Sequence, residues 1–403
     1  ILLAPTGRAS KVMSSYSIYP SYTIHKQIYY PKTEKSGNFV FQLKSNKNKK
    51  TIFIVDESSM IGDEVKNENL FENSSLLNDL IQYVMKGNNC KLIFVGDPAQ
   101  LPPVNLSISP ALDSNELKRI FFNKVFEVEL DDVVRQRKDS GILINANQLR
   151  TQIQNEVFDQ FQFDVSNFSD IKSTTNGLDV FESLETCYDQ SGIDQTVFIV
   201  RSNKRAILYN EHIRKRILGL DDELCLGDQL MIVKNNYFWL DLNSKAGFIA
   251  NGDVIEILSI ISRKNIYDFS FAEVKVRLVD YPNESPFKTI LLLDTLRTET
   301  PSLSYDDGNR LYQNISMDYK DEKSKFKKFI KLKKNPFLNA LQVKYSYALT
   351  CHKSQGGQWD NVFIEKPYLP KGINKEYLRW LYTAITRTKK ELFLIGFNKE
   401  DFI

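Results

Sequence analysis

The chain has 403 residues, 42% hydrophobic and 26% charged, a composition ordinary for a globular protein of two or three domains. Its 53 Lys and Arg against 50 Asp and Glu leave a formal net charge of only +3, so overall charge does not point to a polyanion partner. No apolar run nears the roughly 18 residues of a membrane span and no signal segment opens the chain, so the expectation is a cytoplasmic protein without a membrane partner. Cys90, Cys187, Cys225 and Cys351 are too scattered for a zinc site or a disulfide scaffold and are expected to be reduced.

In chain order, Ile1 to Ala4 is an apolar run with strand character, Pro5 to Gly7 break it, and Arg8 to Met13 start a helix. So apolar a first strand predicts an interior position in a sheet whose neighbours, and whose beginning, lie elsewhere. In IYYPKTEKSGNFVFQLKSNKNKK, aromatic and β-branched residues flank Gly37 and Asn38, which predicts a projecting β-hairpin with a basic flank at Lys44, Lys47, Lys49 and Lys50. The next run, TIFIVDESSM, delivers Asp56 and Glu57 to the carboxyl end of a buried strand. Two acids there are costly unless they meet a cation or a proton-transfer task, as in nucleotide hydrolases, where the first holds magnesium and the second activates water. Capping of a helix by Asp56 is the alternative.

SLLNDLIQYVMKG reads as a helix, and KLIFVGDPAQLPPV as another strand. At that strand's end Gly96 allows close backbone approach, Pro102 and Pro103 direct the exit, and Asp97 and Gln100 offer polar ends that could orient a water or meet a phosphate. TVFIVRSN and KRAILYNEHIRKRILG continue the strand–helix alternation, which predicts parallel sheets covered by helices with ligands beyond the strands' carboxyl ends. From about Gly227 to Leu341, closely spaced strands with Asn-Gly and Pro-Asn turns predict a small inserted antiparallel barrel. Within it, KSKFKKFIKLKK reads equally as a solvated amphipathic helix or as a phosphate contact.

Near the end, LTCHKSQGGQWDNV places Thr350, His352, Lys353 and Ser354 just before Gly356 and Gly357, a loop of donors and small residues suited to a phosphate backbone. YTAITRTKKELFLIG then sets Arg387 between a helix and a strand, where it is either a surface charge or a group reaching across a cleft to a developing phosphate charge.

Taken together, these segments resemble superfamily 1 DNA helicases, and within them the RecD and Dda group that moves 5′ to 3′. LLAPTGRASKV is similar to that family's motif Ia, TIHK to Ib, IVDESSM to Walker B, GDPAQLPPV to III, VVRQ to IV, TCHKSQGGQWDNV to V and YTAITR to VI. The resemblance implies an α/β fold: two RecA-like parallel-sheet motor domains, a β-hairpin insertion and a small inserted antiparallel β-barrel. The expected division is a first motor at 1–130 with the hairpin, or pin, at 29–50, a second motor at 131–226 and 342–403, and the barrel at 227–341. It further implies ATP and Mg2+ as cofactors, with Asp56 on the metal, Glu57 as general base, Gln100 at the terminal phosphate, and Arg135 and Arg387 approaching from the second motor. Gly356 is expected beside the nucleotide. Thr6, Thr23, His25, Thr350, His352 and Lys353 are expected along single-stranded DNA, with Phe39 on the pin at the junction between single- and double-stranded DNA. Alternating grips would then advance the strand one step per ATP, with weak sequence preference and strong salt dependence.

Two departures from the family pattern accompany this reading. The sequence contains no G-x-x-x-x-G-K-[ST] phosphate loop. The expectation is that a segment preceding Ile1, or a partner chain, supplies it; the competing readings are a catalytically inactive nucleic-acid-binding relative and an ATPase that remodels RNA or protein–DNA complexes. In motif V, Gln358 stands where an acid is usual, which puts a carboxylate contact there in doubt, while Trp359 and Asp360 read as packing and turn residues.

Overall fold

Alternating burial along short strands builds the first sheet. In the computed structural model the described residues are 1–403 except 34–38, 63–74, 122–123, 131–139, 159, 167, 241–243, 245, 247, 282–283 and 371. Strands β1 (Leu2–Ala4) and β2 (Ser21–Thr23) pair in parallel, with helix α1 (Gly7–Ser15) between them and α2 (Ile24–Ile28) following. Strands β3 (Tyr29–Thr33) and β4 (Phe39–Leu43) then form the expected antiparallel hairpin, with Phe39 opposite Thr33, while its turn lies outside the described residues. Strands β5 (Ile52–Val55) and β6 (Lys91–Phe94) complete a parallel sheet in the order β2-β1-β5-β6, with α3 (Leu76–Met85) crossing between them and α4 (Ser114–Phe121) after.

The two faces of this sheet differ. Leu3, Phe53 and Val55 bury against Leu77, Leu80 and Val84 of α3. The opposite face carries Leu2, Ile54 and Ile93 as cross-strand neighbours, and Ile52, Ile93 and Val95 remain largely exposed there. Parallel sheets ordinarily have both faces covered, so this contiguous apolar stripe lacks its usual partner layer among the described residues.

The second sheet is also parallel. After α5 (Gly141–Gln154) come β7 (Ile171–Thr174), α6 (Gly177–Ser191), β8 (Thr196–Val200) and α7 (Asn203–Arg216). The chain then leaves for a closed barrel of β9 (Gln229–Ile232), β10 (Val254–Ile266), β11 (Phe269–Leu278), β12 (Phe287–Leu292) and, beyond α8 (Tyr305–Met317) and α9 (Lys325–Lys333), β13 (Leu341–Tyr345). It returns through β14 (Ala348–Thr350), α10 (Cys351–Ser354), β15 (Trp359–Glu365), α11 (Lys375–Ile385) and β16 (Thr388–Ile395), giving the order β14-β8-β15-β16-β7.

The expectation of an antiparallel barrel needs correction: the barrel is mixed, because β12 and β13 pair in parallel. A parallel pair needs a long crossover, and α8 with α9 supplies it. The return to the second sheet, expected at residue 342, comes after Tyr345, since β13 pairs with β9 inside the barrel. Helix α9, from the basic run, is a surface helix that buries Leu332 against Phe271 and Ile315 and leaves Phe326 exposed. The barrel is not a separate body, for Phe198, Phe363 and Phe393 of the second sheet share one core with Ile255, Val274 and Val343 of the barrel.

Candidate functional site

The carboxyl ends of β5 and β6 face the start of β16 across the contact between the two sheet domains. Asp56 follows β5, its amide donating to the Leu3 carbonyl at 2.9 Å, and its Oδ1 accepts the Glu57 amide at 2.8 Å. Glu57 itself adopts a left-handed conformation, φ +51°. That conformation costs a side-chain-bearing residue about 1 to 2 kcal/mol and persists only where surroundings enforce it. Here Ser58 does so: its amide donates to the Val95 carbonyl at 2.9 Å, its hydroxyl to the Val55 carbonyl at 2.8 Å, and its own carbonyl accepts the Ser109 hydroxyl at 2.7 Å. The short helical turn at Ser58–Met60 receives no side-chain cap, so Asp56 is not serving as one.

Arg387 reaches this edge from the second domain. Its guanidinium is 2% exposed and lies 3.6 Å from Oε1 of Glu57. Nε donates to the Thr383 carbonyl at 3.0 Å, Nη1 to the Gly357 carbonyl at 3.4 Å and Nη2 to the Thr386 hydroxyl at 3.3 Å. A cation is thereby aimed at the acidic pair with three of its directions already occupied.

Gln100 lies on the loop after β6. Its side-chain Oε1 is buried with no hydrogen-bond partner, a costly state in the absence of a ligand or water. Gly96 packs so that an added Cβ would stand 2.9 Å from the Ser59 amide nitrogen, which explains the glycine structurally. Arg135 lies outside the described residues. Gly356 takes φ +73°, and a Cβ there would meet the Ala9 Cβ at 2.7 Å, so the glycine lets α1 and the loop after α10 touch.

The donors expected along a strand of nucleic acid occupy equivalent places in the two sheets. Thr23 ends β2 and Thr350 ends β14, each the edge strand of its sheet, and each begins a short helix in a T-x-H-K sequence. Thr23 caps its helix by accepting the Lys26 amide at 3.2 Å, whereas Thr350 makes no side-chain cap bond. Thr6 caps α1 by accepting the Ala9 amide at 3.2 Å, His25 lies beside Tyr29 with ring centroids 5.8 Å apart, and His352 is exposed on α10. Lys353 reaches the Pro301 carbonyl at 3.5 Å, and burial lowers its pKa to about 8.

Several contacts between the two domains escaped the motif reading. Tyr382 donates to Oδ2 of Asp97 at 2.5 Å, the Leu101 amide donates to the Thr383 hydroxyl at 2.8 Å, and Gln355 donates to the Leu101 carbonyl at 2.8 Å. Arg379 donates to the Ser107 carbonyl, and Arg8 stacks over Trp359 with its Cζ 4.9 Å from the ring centroid. Ala99 and Leu101 enter the core of the second domain. Arg379, Tyr382 and Thr383 form a polar stripe at i, i+3 and i+4 on a helix otherwise apolar from Tyr377 onward, and that spacing was the available signal.

The magnesium and ATP expectation can be tested on these residues. No cluster of three or more metal-ligating side chains exists among the described residues. A single carboxylate is sufficient where substrate phosphates complete the shell, which is the usual manner for Mg2+. Asp56 offers that carboxylate, and the orphaned Gln100 oxygen suits a water or a protonated partner beside it. The residues present fit the group.

The two sheet domains meet at an edge that carries an acidic pair and a crossing arginine, and family models match at both ends of the chain. Residues 1–106 match the AAA domain family and residues 345–395 the UvrD-like helicase C-terminal domain. The chain is 22% identical to the ATP-dependent DNA helicase dda of Enterobacteria phage T4, over 98% of this chain and 87% of that protein. It is 23% identical to the RecBCD enzyme subunit RecD of Buchnera aphidicola, over 100% of this chain, which spans 65% of that relative's length. A crystal structure of a Pif1 helicase from Bacteroides, in complex with ADP-AlF3 and single-stranded DNA, aligns over 100% of this chain and 84% of its own at 15% identity and a TM-score of 0.46. The chain is similar to superfamily 1 helicases of the RecD and Dda type.

Proposed function

We propose that this chain is the motor of an ATP-dependent DNA helicase that translocates 5′ to 3′ on single-stranded DNA. The observation that carries the reading is Arg387, held by the second domain and aimed at Glu57 of the first. Bound ATP and Mg2+ would supply a terminal phosphoryl group and the charge that neutralises it. Asp56 would hold the metal, Glu57 would take the proton of the attacking water, and Gln100 would orient that water. Arg387, with Arg135, would stabilise charge developing on the phosphoryl oxygens. Because these groups come from both domains, closure and opening would follow the state of one triphosphate.

Thr6, Thr23 and His25 on the first domain and Thr350, His352 and Lys353 on the second would grip the DNA backbone alternately, and the β3–β4 hairpin with Phe39 would meet the junction. The half-exposed stripe of Ile52, Ile93 and Val95 supports a further segment or partner packing there and bringing the phosphate loop that the sequence lacks. The test is DNA-stimulated ATP hydrolysis by the chain alone and by a version joined to an upstream segment carrying such a loop. Hydrolysis by the joined version alone supports the motor. Hydrolysis by neither, with both binding single strands, leaves a nucleic-acid-binding relative without turnover.

A further inference from the structure

The seam between the barrel and the second domain contains two lysines that have no acidic partner among the described residues. Lys344 on β13 is 9% exposed and donates from Nζ to the Thr298 carbonyl and, at 3.3 Å, to the Thr298 hydroxyl. Lys353 on α10 donates to the Pro301 carbonyl of the same connecting segment. Both line one small cavity of about 20 Å³, together with Asn203 and Thr350. Neither lysine forms an ion pair among the described residues, although buried charges are ordinarily paired. The hydroxyl of Thr350 beside them makes no cap bond, unlike that of Thr23 at the equivalent place in the first sheet. A cavity of this size holds roughly one water, so an anion would sit at its mouth, where both ammonium groups have donors to spare.

We propose that Lys344, Lys353 and the Thr350 hydroxyl form a seat for one backbone phosphate of a single strand of nucleic acid, at the seam between the barrel and the second domain. The proposal rests on the nucleic-acid-binding reading above and adds Lys344, which no motif marks. It makes the barrel part of the grip and not merely an insertion.

The seat has a titration signature. Burial lowers Lys344 to about 8, and burial with the nearby Lys344 charge lowers Lys353 to about 8. The charged groups on the neighbouring segments are Arg297, paired with Glu223 at 3.8 Å, Arg201, paired with Glu376 at 3.0 Å, and the exposed Lys204 and Glu299. His352 on α10 is exposed at its surface yet partly desolvated, which holds it below its ordinary value. A seated phosphate favours the charged ammonium, so binding takes up protons near pH 8 and affinity falls as pH rises. With both lysines protonated in the complex, the loss between pH 7 and pH 9 is about tenfold per lysine.

The experiment is titration calorimetry of the chain with a short oligothymidylate, in two buffers of different ionisation enthalpy, across pH 7 to 9. The expected result is uptake of about one proton at pH 8 by the unmodified chain and about half a proton by Lys344→Met, with the salt slope of binding reduced by at most about 0.7. Lys344→Arg should retain affinity and show the reduced proton uptake, which guards against a Met variant that merely loosens the seam. A purely structural staple would lower the melting temperature of Lys344→Met and leave proton uptake unchanged, and that result overturns the proposal. Equal proton uptake with inorganic phosphate but none with the oligonucleotide also overturns it. If the unmodified chain binds no single strand at all, the broader nucleic-acid reading fails with it.

Discussion

Replacing Arg387 by alanine removes the cation that the second domain presents to Glu57. At 3.6 Å, two unit charges in an effective dielectric of about 20 interact by about 4.6 kcal/mol. A phosphoryl charge at the same separation in the transition state would lose a comparable amount, and about 1.4 kcal/mol corresponds to one decade in rate. The turnover number should therefore fall by a little over three decades, the lower end of the 10³ to 10⁵ range for arginines of this kind. Lysine should not rescue it. One ammonium group cannot reproduce the planar fork that reaches Thr383, Gly357 and Thr386 while still facing Glu57. The assay is steady-state ATP hydrolysis at saturating single-stranded DNA, in the version carrying a phosphate loop, with Arg387→Gln included to retain polar donors at the buried position. Turnover within tenfold of the unmodified protein in both Ala and Gln variants, with melting temperature unchanged, would refute the crossing-arginine argument.

Other consequences of the geometry are open to measurement. Tyr382→Phe removes a hydrogen bond to the Asp97 carboxylate and should cost about 1.5 to 3 kcal/mol, read as a lower denaturation midpoint with circular dichroism unchanged. Gly356→Ala combines a left-handed backbone with a 2.7 Å approach to Ala9 and should cost about 1 to 3 kcal/mol; an unchanged melting curve would contradict that packing. Lys11 bridges Asp253 and Asp280 at 2.8 Å each, with Asp253 1% exposed, so Lys11→Met should lose about 3 to 5 kcal/mol by leaving a buried carboxylate unpaired. The pH dependence of that cluster has a definite sign. Burial alone would raise Asp280, but Lys11 and Arg8 outweigh it and hold the carboxyl below its ordinary value. Its stabilisation is present above the unfolded value near 3.9 and is lost as pH falls through the lower folded one. Lys11 is opposed by burial and raised by the two aspartates, so its share is complete below the unfolded value near 10.4 and lost as pH rises through the folded one. In Lys11→Met the loss of stability between pH 5 and pH 2, followed by thermal melting, should change relative to the unmodified chain.

What the sequence determined by itself was local. Apolar runs ending in polar turns, as in TIFIVDESS and KLIFVGDPAQ, are strands because period and composition are properties of neighbouring residues. The hairpin strands and the placing of Asp56 and Glu57 at a strand's end follow for the same reason, and the ordered motifs carried the family resemblance. What only the tertiary structure decided involved residues far apart in the chain. The parallel β12–β13 pair depended on how α8 and α9 routed the chain, which alternation along either strand does not record. Tyr382 meeting Asp97, Arg8 meeting Trp359 and Lys344 converging with Lys353 depend on where two domains touch, and no spacing within one segment encodes that. The charge state of the two lysines is a further step removed, because it is set by desolvation at the seam and not by the residues beside them in sequence.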